Sequence, residues 1–295
     1  MKVNITKIVT VITIVLFFNE LSGQSENNVS TASDSSYVSL AVNFISDAVF
    51  FGRKDSISAP YLYPSLTYNH KSGLYTSGSF SYLTKSNQNR IDLFLISGGY
   101  QFTSKKFDGD ISVTKYFFND DSYNVISEVE ADITGLFSYD FKVLNLALAS
   151  SVYFNSNSSS DFLLALETSH DFVSNNEKFQ ISPTAGVYLG SQNFYEQYYI
   201  NNRFGNGQRQ GKGQGSGGTG DVTTTSVIMD ESKKFEVLAI EFSLPMWYVH
   251  ESLIFTFLPA YVLPQNPSTL TVDTEVYEED LKDTFYFVLG VSYRF

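Results

Sequence analysis

From Val38 onward, apolar and polar side chains alternate with a period of two, as in strands that bury one face and show water the other. The alternation is plainest in two places. Phe285, Phe287, Leu289, Val291, Tyr293 and Phe295 share one face against Tyr286, Val288, Gly290, Ser292 and Arg294. Val129, Ala131, Ile133, Gly135, Phe137 and Tyr139 likewise stand opposite Glu128, Glu130, Asp132, Thr134 and Ser138. About twelve such segments follow one another, each of the length a strand needs to cross an outer membrane. The first two are carried by Val38–Phe44 and Leu62–Tyr68, followed by Leu74–Leu83, Arg90–Thr103 and Phe107–Phe117. After Val129–Tyr139 come Leu144–Val152, Phe162–Leu166, Phe179–Val187, Leu238–Met246, Leu253–Tyr261 and the terminal run. Around Leu93–Ile96 both faces are apolar, so the pattern leaves that strand's register open. Pro183, Pro245 and Pro259 cannot donate to a sheet ladder and are expected at strand ends or bulges.

The connections follow a second pattern. Lys71–Gly73, Ser104–Lys106, Asp140, Ser174–Lys178 and His250–Ser252 are short, and Gly52–Ser58, Thr84–Asn89, Asn119–Asn124, Asn155–Asp161, Ser191–Lys234 and Pro264–Asp283 are longer. Short and long alternate without exception, as periplasmic turns and outer loops do in a transmembrane barrel. The expected fold is therefore all-β: an antiparallel transmembrane β-barrel over residues 37–295, with both termini periplasmic. A soluble sandwich or lipocalin-like barrel is the competing architecture, but the aromatic-rich face is too extensive for its narrow core.

Composition agrees. With 20 Tyr and 26 Phe, 17% charged residues and a mean hydropathy near zero, the chain has ample apolar surface without long apolar runs. Lys2 and Lys7 precede an apolar run from Ile8 to Phe18 and the small residues Ser22 and Gly23, which reads as a secretory signal peptide over 1–23, followed by a polar lead over 24–36. The run is too short to span a bilayer as a helix, which needs about 20 residues. No cysteine is present, so no disulfide framework stabilises the exported chain. Removing the signal leaves 17 basic and 30 acidic side chains, the wrong sign for a nucleic-acid partner.

Three stretches resemble known proteins. The alternating end on Tyr293 and Phe295 resembles the closing strand of bacterial outer-membrane barrels, whose terminal aromatic is read by the barrel-assembly machinery. Ser46-Asp47-Ala48-Val49-Phe50-Phe51-Gly52 and Tyr68-Asn69-His70-Lys71-Ser72-Gly73-Leu74-Tyr75 resemble a Gram-negative outer-membrane barrel family without established chemistry. That family carries Ser-Asp/Asn-Tyr-Val-Phe-Arg-Gly and Tyr-Ser-His-x-Ser-Gly-Phe-Tyr at these places. The chain departs from it at Ala48, where the family has Tyr, and at Phe51, where it has Arg, although Arg53 lies close by. The resemblance implies an outer-membrane location, with lipid and lipopolysaccharide as surroundings, and no catalytic residue to carry over.

If the apolar faces meet lipid, Glu130, Glu167 and Glu241 point inward at similar height, with Glu128 and Asp132 nearby, and few bases match them. An acidic ring in a pore favours cations; the structural alternative is internal polar packing with Arg90, Arg294, Tyr and Ser. Inward Tyr61, Tyr63, Tyr75, Tyr188 and Tyr286 are candidates for ligand stacking, or simply fill space. Gly205–Gly220 contains a formal GxGxxG, but no strand leads into it and no helix pattern follows, so it reads as an outer loop made basic by Arg203, Arg209 and Lys212. The acidic run Asp273, Glu275, Glu278, Glu279, Asp280 and Asp283 fits no calcium loop spacing and reads as a solvated outer loop, and no cofactor or metal motif is found. His70, His170 and His250 all map to periplasmic strand ends, away from where a barrel lipid hydrolase needs its base. The expectation is a porin-like pore for small cationic or neutral solutes, not an enzyme. A closed structural or surface-interaction barrel, its loops binding polysaccharide or protein, is the alternative.

Overall fold

The computed structural model describes residues 35–55, 58–85, 88–200, 227–229, 232–272 and 275–295. The expected signal peptide, most of the polar lead and the basic Gly-rich stretch with Arg203, Arg209 and Lys212 lie outside these residues. In chain order the elements are β1 (Tyr37–Ile45), β2 (Tyr61–Asn69), β3 (Leu74–Leu83), β4 (Arg90–Ser104), β5 (Phe107–Phe118), β6 (Val129–Asp140), β7 (Asn145–Asn155) and β8 (Asp161–Ser169). They continue with β9 (Phe172–Val173), β10 (Phe179–Ile181), β11 (Thr184–Gly190), a one-turn helix α1 (Asn193–Tyr198), β12 (Val227–Met229), β13 (Glu236–Ser243) and β14 (Met246–His250). The last are β15 (Leu253–Pro264), β16 (Thr269–Val272), β17 (Glu275–Glu278) and β18 (Thr284–Arg294).

Each wall strand pairs antiparallel with its neighbours, and β1 pairs with β18 from Ser39 against Arg294 to Ile45 against Val288, which closes the sheet. The pairs β8/β9, β10/β11 and β13/β14 are each one wall strand interrupted, so the barrel has twelve strands. The interruptions explain the prolines. Pro183 separates β10 from β11 and Pro245 separates β13 from β14, and the two breaks face each other, with Ser182 N–H donating to the Pro245 carbonyl at 2.9 Å. Pro259, inside β15, sits where that strand's partner changes from β14 to β13, so its missing N–H leaves no ladder position unfilled.

The outer wall is apolar from end to end. Ile96, Val113, Ile133, Leu148 and Leu166 are exposed around the middle, with Phe94, Phe117, Phe162, Tyr261 and Phe285 toward the long-loop end. Tyr68, Tyr100, Tyr139, Phe172, Tyr248 and Tyr293 lie toward the short-turn end. In water so much exposed apolar area would drive association; in a bilayer it is the lipid-facing band with its two aromatic girdles. Tyr293 and Phe295 belong to the lower girdle, their rings 4.9 Å apart.

Three bulges change the expected facing. Between Val129 and Ala131 the β6–β7 register slips, so Val129, expected on the lipid side, is buried, and Glu130 turns outward. A bulge opposite Tyr188 and Leu189 draws Leu238, also expected outside, fully inward beside Ala239. On β4 the register shifts opposite Ser81 and Tyr82, which turns both Asp92 and Leu93 inside. A bulge breaks the two-residue period for one position, so every inference of facing that crosses it inverts.

The long-loop end is closed over. Residues 46–55 fold into the mouth, α1 lies across it, and a small sheet of β12, β16 and β17 stands beyond the rim. Asp161, at the start of β8, holds α1 by accepting the N–H groups of Asn193 and Phe194 at 2.8 and 2.9 Å. That carboxylate satisfies the helix's first donors in place of a local cap.

Candidate functional site

The inner wall carries carboxylates, and tyrosines hold them. Tyr61 donates to Asp92, Tyr75 to Asp110 at 3.2 Å, Tyr116 to Asp132, Tyr188 to Glu167 at 2.6 Å and Tyr286 to Glu241 at 3.1 Å. A phenol donating to a carboxylate is a charge-assisted bond, and it satisfies two buried polar groups at once. Of the five tyrosines proposed for ligand stacking, four are therefore engaged by their hydroxyls. The fifth, Tyr63, is buried with its ring 5.8 Å from that of Tyr61. All five face inward, as the period-two pattern requires.

Of the expected acidic ring, Glu167 and Glu241 keep their places. They share one cross-strand row: Gly186 of β11 is the register partner of Glu167 on β8 and of Glu241 on β13. Asp132 also points inward, but its row runs through Tyr153 to Asp161, away from that pair. Glu128 is buried just before β6 and accepts from Ser156 Oγ at 3.3 Å, so it belongs to the rim. Glu130 is not in the lumen. The bulge turns it to the outer surface, where Lys115 Nζ lies 3.0 Å from its carboxylate. Of the five carboxylates expected together, Glu167 and Glu241 form a pair on a single row, Asp132 points inward on another, Glu128 lies at the rim and Glu130 faces outward.

Asp92 is an inward acid that alternation did not reveal, because it lies in the bulge of the strand whose register was ambiguous. Arg90 Nε donates to it at 2.9 Å and Ser122 Oγ at 2.8 Å, so this acid is neutralised. Among the described residues no base pairs with Glu167 or Glu241.

Above this row sits the inserted hairpin. Phe50 and Arg53 exchange both backbone hydrogen bonds at 2.8 Å, and Phe51 and Gly52 between them have φ of 47° and 78°. This two-residue turn demands positive φ at both central positions. Gly52 meets the demand freely, and a Cβ there would also lie 2.8 Å from the Pro264 Cβ. Phe51 adopts a conformation uncommon for a bulky residue. Its ring meets Tyr188 edge-on at 5.2 Å, while Phe50 packs on Tyr153 at 5.9 Å and on Phe194 of α1 at 5.0 Å. The Phe50–Arg53 turn is therefore the piece that fills the mouth.

Arg53 anchors the hairpin. It donates to the carbonyls of Leu238 at 2.6 Å, Gln265 at 3.0 Å and Asn266 at 3.0 Å, and lies 3.6 Å from the Glu279 carboxylate. Burial lowers the Arg53 pKa and Glu279 opposes that shift. Burial likewise raises the Glu279 pKa, against the pull of Arg53. Glu279, expected in a solvated acidic loop, is instead a buried partner, and among the described residues no group of three acidic or histidine side chains is placed to hold a metal ion.

No family model matches the chain, and no curated protein matches it. Solved structures do. A COG4313 outer membrane channel from Pseudomonas putida F1 is similar at TM-score 0.50 and 10% identity, over 92% of this chain and 100% of that one. The KdgM porin (TM-score 0.46, 9% identity, 86% and 98% covered) and the NanC porin (0.46, 11%, 87% and 98%) are also similar. At such identities the likeness is one of fold, and the fold is that of the closed outer-membrane barrel.

Proposed function

We propose that the protein is an outer-membrane, porin-like channel for small cationic or neutral solutes, exported to that membrane and embedded in its lipid and lipopolysaccharide. The observation that carries this reading is the inner wall itself: Glu167 and Glu241 share a row that no base among the described residues neutralises. Carboxylates buried without a counter-charge weaken a barrel that serves only as structure, whereas in a pathway they attract cations and repel anions. Conduction requires the Phe50–Arg53 hairpin to leave the mouth or to let solutes pass beside it. No catalytic role belongs to this reading, since His70, His170 and His250 all stand at the short-turn end.

A second reading is favoured by that same hairpin. With Phe50, Phe51, Phe194 and Tyr195 packed together over the lumen, a closed barrel that presents its outer loops to polysaccharide or protein is consistent with the aromatic core. Planar-bilayer recording in a salt gradient separates the two. A cation-selective reversal potential supports the channel; folded protein that neither conducts nor admits solute into liposomes, even with the hairpin weakened, overturns it in favour of the closed barrel.

A further inference from the structure

We infer that the row Glu167–Gly186–Glu241 is a binding site for the primary ammonium group of a small amine. The inference rests on the channel reading for the solute's access and goes beyond it in naming a discrete site and a chemical class. Neighbouring strands lie about 4.8 Å apart, so two acids flanking one strand have Cα atoms roughly 10 Å apart, and both carboxylates can converge on one guest. The side chains are 6% and 7% exposed, so both acids are largely withdrawn from bulk water.

The hydrogen bonds of the row are uneven. Glu167 Oε1 accepts from Tyr188 and Glu241 Oε2 from Tyr286, but Glu241 Oε1 is buried with no donor. Ionised carboxylates only accept, and both neighbouring phenols spend their protons on the other oxygens, so a group that completes the row brings N–H or O–H donors, and one that also carries positive charge offsets the two acids. An ammonium brings three donors on a compact charge. Tyr188 and Tyr286 add ring faces to which a cation is drawn.

A Cβ on Gly186 would lie 2.6 Å from Tyr188 Oη and 3.2 Å from Glu167 Cγ, so these two side chains fold over the glycine and bring their polar ends onto the row. A calcium ion takes 6–8 oxygen ligands, and two carboxylates with two phenols reach the lower end of that range only if both acids bind through both oxygens and both phenols, already donating to those acids, ligate as well. Phe51, packed edge-on against Tyr188, covers the row from the mouth side.

The test uses the purified, folded full-length barrel in detergent, titrated calorimetrically with methylammonium at constant ionic strength. Infrared spectra are recorded alongside for protonated carboxyl groups. Saturable binding of one methylammonium per chain is expected, with none of tetramethylammonium, which has no N–H. Glu241→Gln keeps the side chain's shape and should weaken binding about tenfold or more while retaining heat-modifiable gel mobility; Glu130→Gln, on the outer surface, should leave it unchanged. Absence of saturable binding, equal binding by Glu241→Gln, or equal competition by potassium or calcium overturns the site. So does a protonated-carboxyl signal, lost in Glu241→Gln, that persists at saturating methylammonium, because the two acids would then share a proton instead. Binding without conductance removes the channel reading alone, and conductance without binding removes this inference alone.

Discussion

Arg53 and Glu279 face each other at 3.6 Å with side chains 0% and 2% exposed, joining the first outer loop to the last across the mouth of the barrel. No pattern in the sequence pairs the two, yet the pair and the three carbonyls around Arg53 hold the hairpin that closes the lumen.

Breaking that pair from one side should do more harm than removing it whole. Arg53→Met leaves a buried carboxylate and three carbonyls without their donor and should cost about 3–5 kcal/mol, whereas Arg53→Met with Glu279→Gln should cost less. Protease sensitivity of residues 46–60, followed in urea, reports the closed mouth. Equal losses in the single and double variants would mean that the charge pairing is immaterial.

The mouth should also respond to pH through Glu279. Its carboxyl has a pKa raised above 4.5 in the folded mouth, so the folded form binds a proton that the opened form releases. Stability is then greatest below the ordinary carboxylate range and falls as pH rises through the raised value. Glu279→Gln should flatten this dependence; a mouth that loosens on acidification instead would contradict the assignment.

Gly52→Ala should loosen the hairpin. The new Cβ meets Pro264 at 2.8 Å on a residue with φ of 78°, and strain of this kind costs about 1–3 kcal/mol. In bilayer recordings a larger or more frequent open state is expected, and unchanged traces would show that this hairpin does not limit passage.

The two faces of β6 should differ in their tolerance of charge. Ile133→Arg places a guanidinium in lipid and should cost about 2–4 kcal/mol near the midplane. Thr134→Arg, beside Asp132 in the lumen, should be tolerated, because Thr134 Oγ1 lies 2.6 Å from that carboxylate. Unfolding in urea from lipid vesicles measures both, and equal damage would point to a sheet packed on both sides.

Selectivity should follow the corrected facing. Replacing Glu167 and Glu241 by Gln should lower cation preference in a salt gradient, while Glu130→Gln should not, since Glu130 pairs with Lys115 outside the barrel. A loss of preference in the Glu130 variant would return that residue to the pathway.

What the chain determined by itself was the wall. Side-chain direction in a strand repeats every two residues wherever the ladder is regular, so the alternation around Leu74–Leu83 marked out β3 as it stands, and the loop lengths set the two ends apart. The same regularity brought Glu167, Glu241 and the five tyrosines inward. Only the tertiary structure decided the rest. Val129, Glu130 and Leu238 turned over because a bulge is a mismatch between two strands, written in neither strand alone. The closed mouth depends on Phe50, Phe51 and Arg53 meeting Tyr153, Tyr188, Leu238 and Glu279. Those partners lie far along the chain, and a local pattern carries no record of what the closing of a barrel brings face to face.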